Sequence, residues 1–333
     1  MPVATFAIPC RDAGAHLRPL LRSLLAQSEA DFALLLVDDG STDGSAALAR
    51  EVAGDRIEIH RNDAPFGIGA NWNRCAELGG PPFVCLAHQD DVYERDYLAR
   101  MLAALRARPD AGIAHCRATA VDGDGAPIVS PAEAFKAHFW RHQPGEDRAA
   151  HYARLWRGNF VCCPSVLYRT DVLRAVGPFR TDLRFALDWE WWFRLLRTGF
   201  GIADVDATLL HYRRHDAAAS IRASADRSRF AEELHVLAAA RRDGVAAGLL
   251  PGDVGASPAL RNNLLHEAFV DLEAGRLDAV DAKLAFVRSH APELWRDPYV
   301  WAFRGMRRLG APGRWALGLG RALAVRFGLG GAA

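Results

Sequence analysis

The sequence has few of the features that mark disulfide-rich, zinc-finger or membrane-spanning proteins. Its six cysteines contain no C-x-x-C pair, and four of them lie within apolar stretches. We therefore expect reduced thiols that pack as small hydrophobic groups. No window reaches the apolar length that a membrane span needs, and Arg11 and Asp12 interrupt the first apolar run. These absences predict a cytoplasmic protein.

The chain also lacks an excess of charge of either sign. Its 41 Lys and Arg residues balance 40 Asp and Glu residues, so the formal net charge is +1. No global field would attract nucleic acid, and an anionic ligand would need local groups to bind it. Internal repeats are absent too. A chain of 333 residues is long enough for a catalytic domain with a smaller appendage.

Strands and helices alternate through the first half of the chain. Apolar runs at 5–9, 32–37, 56–60 and 82–87 predict strands, and the segments between them show helical spacing of leucine and alanine. This alternation predicts an α/β fold with a mostly parallel central sheet flanked by helices. From residue 226 onward the pattern is helical. We therefore predict a catalytic domain over 1–222 and a helical C-terminal appendage over 223–333.

Two acidic pairs follow two of the predicted strands. Asp38 and Asp39 end the run FALLLVDD, and Asp90 and Asp91 end the run FVCLAHQDD. The carboxyl ends of parallel strands lie at one edge of a sheet, so we expect the four carboxylates to converge on a crevice. Oxygen ligands of this kind suit Mg²⁺ or Mn²⁺. The alternative for either pair alone is an ordinary solvated turn.

Six segments together resemble the family 2 glycosyltransferases of GT-A fold. They span residues 3 to about 220 in the order that the family shows. The segments are TFAIPCRDAG, LLLVDDGSTDGS, GIGANWNRC, FVCLAHQDDVY, VGPFRTDLRFALDWEWWFRLLRTG and HYRRHDAAAS. One such motif would be weak, whereas six in sequence are specific to the family.

The resemblance implies a nucleotide-diphosphate sugar donor, with a UDP- or dTDP-sugar favoured. By position in the motifs, Pro9, Asp12 and Asp39 would hold the base and the ribose. Asp90 stands where the family has its metal-binding carboxylate, and Asp91 would support the metal or the donor sugar. The implied cofactor is Mn²⁺ or Mg²⁺.

Several further residues depart from the family pattern or flank the donor segment. His88 replaces the first carboxylate of the D-x-D motif, and an imidazole there would contact the ribose or a metal-bound water. Asn73 lies in the segment that flanks the donor, and it follows Trp72, where many relatives carry Arg. Gly67 and Gly69 lack the third glycine of a dinucleotide loop, so NAD binding is not expected.

The resemblance places the general base at Asp188, within RFALDWEWWFRLL. Relatives carry an acidic pair there, whereas Leu187 takes the place of its first member. Glu190 is the alternative base, two residues further on. In HYRRHDAAAS, His215 would be a further metal ligand, and Arg213 or Arg214 would pair with the phosphates.

The implied reaction is a single displacement with inversion at the anomeric carbon. The implied acceptor is a saccharide or a lipid-linked saccharide, in bacterial surface polysaccharide or lipopolysaccharide assembly. Arg and apolar residues at 314–327 are compatible with an amphipathic helix on the inner face of the cell membrane, or with packing on the catalytic domain. Two other functions stay open at this point. They are a sugar nucleotidyltransferase and a non-catalytic sugar-nucleotide-binding protein.

Overall fold

The structure, a computed structural model, describes residues 2–80, 82–128, 146–214, 228–273 and 275–309. The strands within these ranges are β1 Ala4–Cys10, β2 Phe32–Asp38, β3 Ile57–Arg61, β4 Phe83–Leu86, β5 Val92–Tyr93, β6 Ala111–Val121, β7 Leu167–Arg169 and β8 Gly201–Arg213. They form a single sheet in the order β3-β2-β1-β4-β7-β6-β8-β5.

Helices cover both faces of this sheet. They are α1 Leu17–Leu25, α2 Ser45–Ala53, α3 Ile68–Leu78, α4 Tyr97–Ala107, α5 Arg148–Arg157, α6 Thr170–Val176, α7 Leu187–Arg197, α8 Ser228–Ala246, α9 Pro258–Glu273, α10 Leu277–His290 and α11 Pro298–Leu309. The strands and helices predicted for the first half of the chain are all present. Helix α5 was not predicted. Its segment follows a part of the sequence that is rich in His and aromatic residues and shows no clear periodicity.

The sheet has a parallel half and a mixed half. Strands β1 to β4 pair in parallel, as does β6 with β8, whereas β7 is antiparallel to both β4 and β6. The short strand β5 is antiparallel to β8. A central sheet with helices on both sides confirms the predicted fold class. The antiparallel insertion was missed because β7 is only 3 residues long and carries no clear alternation.

Hydrophobic side chains fill a layer on each face of the sheet. Phe6 and Ile8 pack with α1, α2 and α4 on one face, whereas Ala7 packs with α3, α5 and α7 on the other. This alternation follows from the two-residue period of a strand. All six cysteines are buried with free thiols, in keeping with their expected role as small hydrophobic groups.

Helix α8 of the C-terminal region is packed into the second of these layers. Phe230 and Leu237 of α8 belong to the same hydrophobic cluster as Trp189 and Leu155. The hydroxyl of Tyr152 also donates to the carbonyl of Ala240 over 2.7 Å. Full burial of a Phe or Leu side chain stabilises a fold by about 1.5–3 kcal/mol. Helix α8 therefore belongs structurally to the catalytic unit, and the predicted boundary at 222/223 falls outside the described residues.

Among the helices that the structure describes, none has both the length and the apolar character to cross a bilayer. The sequence at 314–327, for which a membrane-surface helix was considered, lies outside the described residues, and so does His215.

Candidate active site

The carboxyl ends of β1, β2 and β4 meet at one edge of the sheet. In the strand register Cys10 is opposite Asp38 and Ala7 is opposite Leu86. The loops that follow are joined by hydrogen bonds between the side chain of Gln89 and the backbone of Arg11, at 2.7 and 3.1 Å. Both predicted acidic segments are thus brought to the same edge, as expected for parallel strands.

Asp38 is fully buried and anchors the turn after β2. Its Oδ1 accepts from the backbone N–H of Ser41 at 2.8 Å, and its Oδ2 lies 3.2 Å from Nη1 of Arg61. A buried carboxylate needs such partners, because its desolvation is costly. Asp38 therefore shapes the loop that carries its neighbour Asp39.

Asp39 fastens a second loop across the sheet edge. Its carboxylate accepts from the backbone N–H groups of Phe66 at 2.7 Å and Gly67 at 3.0 Å, and from Nδ2 of Asn62 at 2.8 Å. Only 3% of the residue is exposed. Contact of Asp39 with a nucleotide base stays a prediction. What the structure adds is a role in ordering residues 62–67 beside the predicted donor position.

Asp12 adopts a backbone conformation that non-glycine residues rarely use. Its φ is +47°, and its Oδ1 accepts from the backbone N–H of Thr42 at 2.7 Å. The half-buried Pro9 lies near the end of β1, three residues earlier. Strained conformations of this kind persist where the surroundings hold them, commonly at ligand sites. The Asp12 carboxylate links the loop after β1 to the turn after β2.

The loop after β4 carries His88, Asp90 and Asp91. Asp91 is completely buried; its Oδ1 accepts from the backbone N–H of Arg213 at 2.9 Å, and its Oδ2 has no hydrogen-bond partner among the described residues. Burial, together with the charge of Asp90, raises the pKa of Asp91 well above its usual range. A cation beside these carboxylates would favour the ionised form of both.

Nε2 of His88 is also buried without a hydrogen-bond partner in the described part of the chain. Burial lowers the pKa of His88, and the nearby charge of Asp90 opposes this only in part. The imidazole is therefore neutral near pH 7 and offers an unprotonated nitrogen. Its ring lies 5.1 Å from that of Trp72, whose indole packs in the core.

The side chain of Arg213 joins the end of β8 to the loops after β4 and β6. It is buried, and its guanidinium donates to the backbone carbonyls of Asp90, Asp122 and Gly123 at 2.8–2.9 Å. Sequence reasoning missed this structural role, because it depends on how the end of β8 meets two distant loops. Arg214 is half-buried, and its predicted phosphate contact stays a prediction.

Asn73 connects α3 to the segment before α7. Its side-chain amide donates to the carbonyl of Phe179 at 2.9 Å and accepts from the N–H of the same residue at 2.8 Å. These two bonds use one of the two N–H donors and one of the two lone pairs of the amide, so its predicted contact with the donor stays a prediction. Ring contacts continue the connection from Trp72 through Phe179 to Trp191, at 5.4 and 5.5 Å.

Asp188 lies in the first turn of α7. Its Oδ1 accepts from the backbone N–H of Trp189 at 2.6 Å, and its Oδ2 accepts from Nδ2 of Asn159 at 3.3 Å. Burial raises the pKa of Asp188 to about 6 despite these bonds. A carboxylate that is ionised at neutral pH and still has appreciable proton affinity is suited to general base catalysis.

The alternative base, Glu190, is held in an ion pair. Both of its oxygens accept from the guanidinium of Arg194, at 3.2 and 3.0 Å. The ion pair occupies both carboxylate oxygens of Glu190 and turns its side chain along the helix. The role of Asp188 as general base stays a prediction, with Glu190 as the alternative.

A carboxylate from the C-terminal region supports the start of α7. The side chain of Glu232 in α8 accepts from the backbone N–H groups of Arg184, Phe185 and Ala186 at 2.8–3.0 Å. Helix N-termini leave such groups unsatisfied, and Ala186 at the N-cap offers no side-chain acceptor. No local sequence pattern could have identified Glu232, because its partners lie 46–48 residues away.

Comparison with known sequences identifies the family of the chain. The family model for glycosyl transferase family 2 matches residues 5–177, slightly more than half of the chain. A PGL/p-HBAD biosynthesis glycosyltransferase of Mycobacterium bovis is 29% identical over 193 residues, covering 57% of this chain and 68% of the relative. The putative glycosyltransferase EpsH of Bacillus subtilis is 28% identical over 222 residues, covering 64% of this chain and 61% of the relative.

Two solved structures illustrate the shared fold. The Staphylococcus aureus TarS fragment 1–349, in complex with UDP-GlcNAc, superposes with a TM-score of 0.58 at 15% identity over 87% of this chain and 74% of TarS. The mannosyltransferase PcManGT of Pyrobaculum calidifontis, in complex with GDP-Man and Mn²⁺, gives a TM-score of 0.55 at 17% identity over 97% of this chain and 81% of the other. Together, the family match and the fold show that the chain is a glycosyltransferase of GT-A fold belonging to glycosyl transferase family 2.

Proposed function

We propose that the protein is an inverting, metal-dependent glycosyltransferase that uses Asp188 as general base. The observation that carries this proposal is the raised pKa of Asp188, about 6, at the start of α7. The alternative base, Glu190, is held in an ion pair with Arg194. A base with a pKa just below neutral combines the ionised form with a useful affinity for the proton it removes.

The proposed donor is a nucleotide-diphosphate sugar, with a UDP- or dTDP-sugar favoured by the motifs. Complexes of the two structural neighbours with UDP-GlcNAc and GDP-Man support a donor of this class. We assign Pro9, Asp12 and Asp39 to the base and ribose. Two of the three are tied to loops at the sheet edge, so they would be pre-organised for a nucleotide.

The residues after β4 fit a divalent cation. Asp90 and Asp91 would hold it, because Asp91 has a buried oxygen without a partner among the described residues and His88 presents a neutral nitrogen nearby. When bound, Mn²⁺ or Mg²⁺ would supply positive charge to the departing diphosphate. The Mn²⁺ complex of PcManGT supports this assignment. His215 stays a predicted further ligand outside the described residues.

In the proposed reaction the acceptor hydroxyl donates its proton to Oδ2 of Asp188 while its oxygen attacks the anomeric carbon. The C–O bond to the diphosphate breaks in the same step, so the configuration inverts. Asn159 donates to the same carboxylate oxygen and would fix its direction. The Asn159 bond favours the ionised carboxylate, which is the form needed before proton transfer.

The proposed acceptor is a saccharide or lipid-linked saccharide in the assembly of a bacterial surface polymer. Support comes from relatives such as the O-antigen biosynthesis protein RfbC of Myxococcus xanthus, which is 28% identical over 233 residues. The match covers 65% of this chain and 18% of RfbC, so it supports the class of pathway rather than a particular linkage.

A thermal-shift screen tests the donor class. We expect one nucleotide sugar to raise the melting temperature in the presence of Mn²⁺, and the increase to disappear when a chelator is added, because ligand binding to the folded state stabilises it by mass action. Free nucleoside monophosphates serve as the control for the base alone. Stabilisation by a nucleoside triphosphate with a sugar phosphate, but by no nucleotide sugar, would instead support a nucleotidyltransferase.

We expect Glu232→Gln to lower kcat by about tenfold to a hundredfold with little change in the KM for the donor. The reason is that an NH2 donor would replace one of the two carboxylate oxygens that accept at the start of α7, which would loosen the fixed position of Asp188. Loss of a negative charge at these amides also stabilises the ionised form of Asp188, so the acidic limb of the pH–rate profile should move to lower pH.

The matched control is Glu267→Gln, which removes a carboxylate that pairs with the guanidinium of Arg229 at 3.3 Å instead of with the backbone amides of residues 184–186. A pH profile and kcat for Glu232→Gln that equal those of this control would show that Glu232 does not position the base.

A further inference from the structure

A second group of titratable side chains lies buried between β6, β8 and α5. It consists of His115 on β6, Asp204 on β8, His151 on α5, and Glu146 just before that helix. The side chains of His151, Asp204 and Glu146 are 1%, 8% and 13% exposed. The proposed mechanism uses none of them. Buried groups of this kind need strong partners, because their desolvation is costly.

The spacing of three of these side chains matches a metal site. Nε2 of His151 lies 3.1 Å from Oδ2 of Asp204 and 3.6 Å from Oε2 of Glu146. All three ligand atoms lie within 4.8 Å of one another. Two ligands bound to a tetrahedral zinc ion at about 2.1 Å are about 3.4 Å apart. The two measured distances lie on either side of that value.

The surrounding side chains orient the carboxylates. Nε2 of His115 is hydrogen-bonded to Oδ1 of Asp204 at 2.5 Å, and Nη1 of Arg154 donates to Glu146 at 3.0 Å. Second partners of this kind fix the ligands of metal sites. Two carboxylates would also balance the charge of a divalent ion in this largely buried place.

This cluster is separate from the acidic loops at the sheet edge. Asp204 lies near the start of β8, whereas Arg213 at the end of the same strand bonds to Asp91. In the strand register Asp204 is opposite His115 and Arg213 is opposite Val121, so the two residues are separated by roughly 20 Å along the sheet. The ligand chemistry differs as well, because imidazole with carboxylates suits Zn²⁺, whereas all-oxygen sites suit Mg²⁺ and Mn²⁺.

We propose that Glu146, His151 and Asp204 bind a zinc ion, with His115 orienting Asp204. The ion would join the start of α5 to β8. Helix α5 leads at its other end to Asn159, the partner of Asp188. The role assigned to the ion is therefore to hold α5 in place, and the proposal does not depend on the reaction that the protein catalyses.

Zinc binding to the purified chain tests the proposal. After dialysis against a chelator, the wild type is titrated with Zn²⁺ by calorimetry and with Co²⁺ by visible absorption. We expect stoichiometric Zn²⁺ binding, tetrahedral Co²⁺ bands and a raised melting temperature. His151→Gln should weaken Zn²⁺ binding by at least about tenfold and remove the bands, since a ligand is lost. Circular dichroism checks that the variant is folded, and Glu146→Gln repeats the test from a less buried position.

The matched control is His211→Gln, at the opposite end of β8. His211 is also paired with a carboxylate, that of Glu94 at 2.7 Å, and this change should leave Zn²⁺ affinity unaltered. Equal Zn²⁺ affinity in the wild type and in folded His151→Gln and Glu146→Gln would overturn the proposal. So would binding that survives those changes and disappears in Asp90→Ala, since the ion would then occupy the sheet edge.

Discussion

Asp188→Asn should reduce sugar transfer by about a hundredfold to ten-thousandfold while leaving donor affinity unchanged. The amide keeps the size of the side chain and can still accept from Trp189 N–H, but it cannot take the proton of the acceptor hydroxyl. The measurement is the initial rate of transfer under saturating donor, together with the donor Kd by calorimetry.

The wild-type rate should fall as the pH drops through about 6, because Asp188 then becomes protonated. This limb should be absent from the residual activity of Asp188→Asn. The folded-state pKa lies above the unfolded value of about 3.9, so ionisation of Asp188 opposes folding at neutral pH. Stability from this group is present in full below the unfolded pKa and is lost as the pH rises through the folded pKa. The variant should therefore melt at the same or a higher temperature than wild type at pH 7.

Glu190→Gln is the comparison for this experiment. It removes a carboxylate from the same helical turn. The lost group is a partner in the ion pair with Arg194 and not the proposed proton acceptor. If Glu190→Gln lost transfer while Asp188→Asn kept it, the base would have to be reassigned to Glu190.

Asp90→Ala should abolish the part of donor binding that depends on Mn²⁺ or Mg²⁺. Charge stabilisation by a metal ion is worth several kcal/mol, and each 1.4 kcal/mol changes affinity tenfold, so we expect a loss of at least about a hundredfold. The measurement is the donor Kd with and without a chelator. In wild type the chelator should weaken binding, whereas in the variant it should have no further effect.

Asp96→Ala is the matched control for this loss. Asp96 is an exposed carboxylate a few residues further along the chain, 3.5 Å from Arg100, and it takes no part in the sheet-edge loops. A donor Kd in Asp90→Ala that equals that of Asp96→Ala, and still responds to the chelator, would contradict the metal assignment.

The sequence alone predicted the parallel half of the sheet and the place where its loops meet. Long apolar runs such as 32–37 specify strands strongly, and chain direction then fixes which ends lie together. Asp39 and Asp91 were identified for this reason. Their bonding partners were not, since Phe66 and Arg213 reach them only after separate segments have packed.

The remaining features depend on contacts between residues distant in the chain. The short strand β7 pairs antiparallel in the middle of the sheet, and three residues give too little pattern to reveal it. Glu232 and the group around Asp204 depend in the same way on tertiary packing. The raised pKa of Asp188 has the same origin, because burial causes it and a motif does not report burial.

The shared hydrophobic cluster also limits how this protein can be recombined with its relatives. Chimaeras that exchange everything after residue 227 would replace Phe230 and Leu237 while keeping the surfaces of α5 and α7 that they fill. Such hybrids would have mismatched volumes in the core, and swapping α5, α7 and α8 as one block avoids this. Evolution of the C-terminal helices is therefore expected to be coupled to that of the catalytic half.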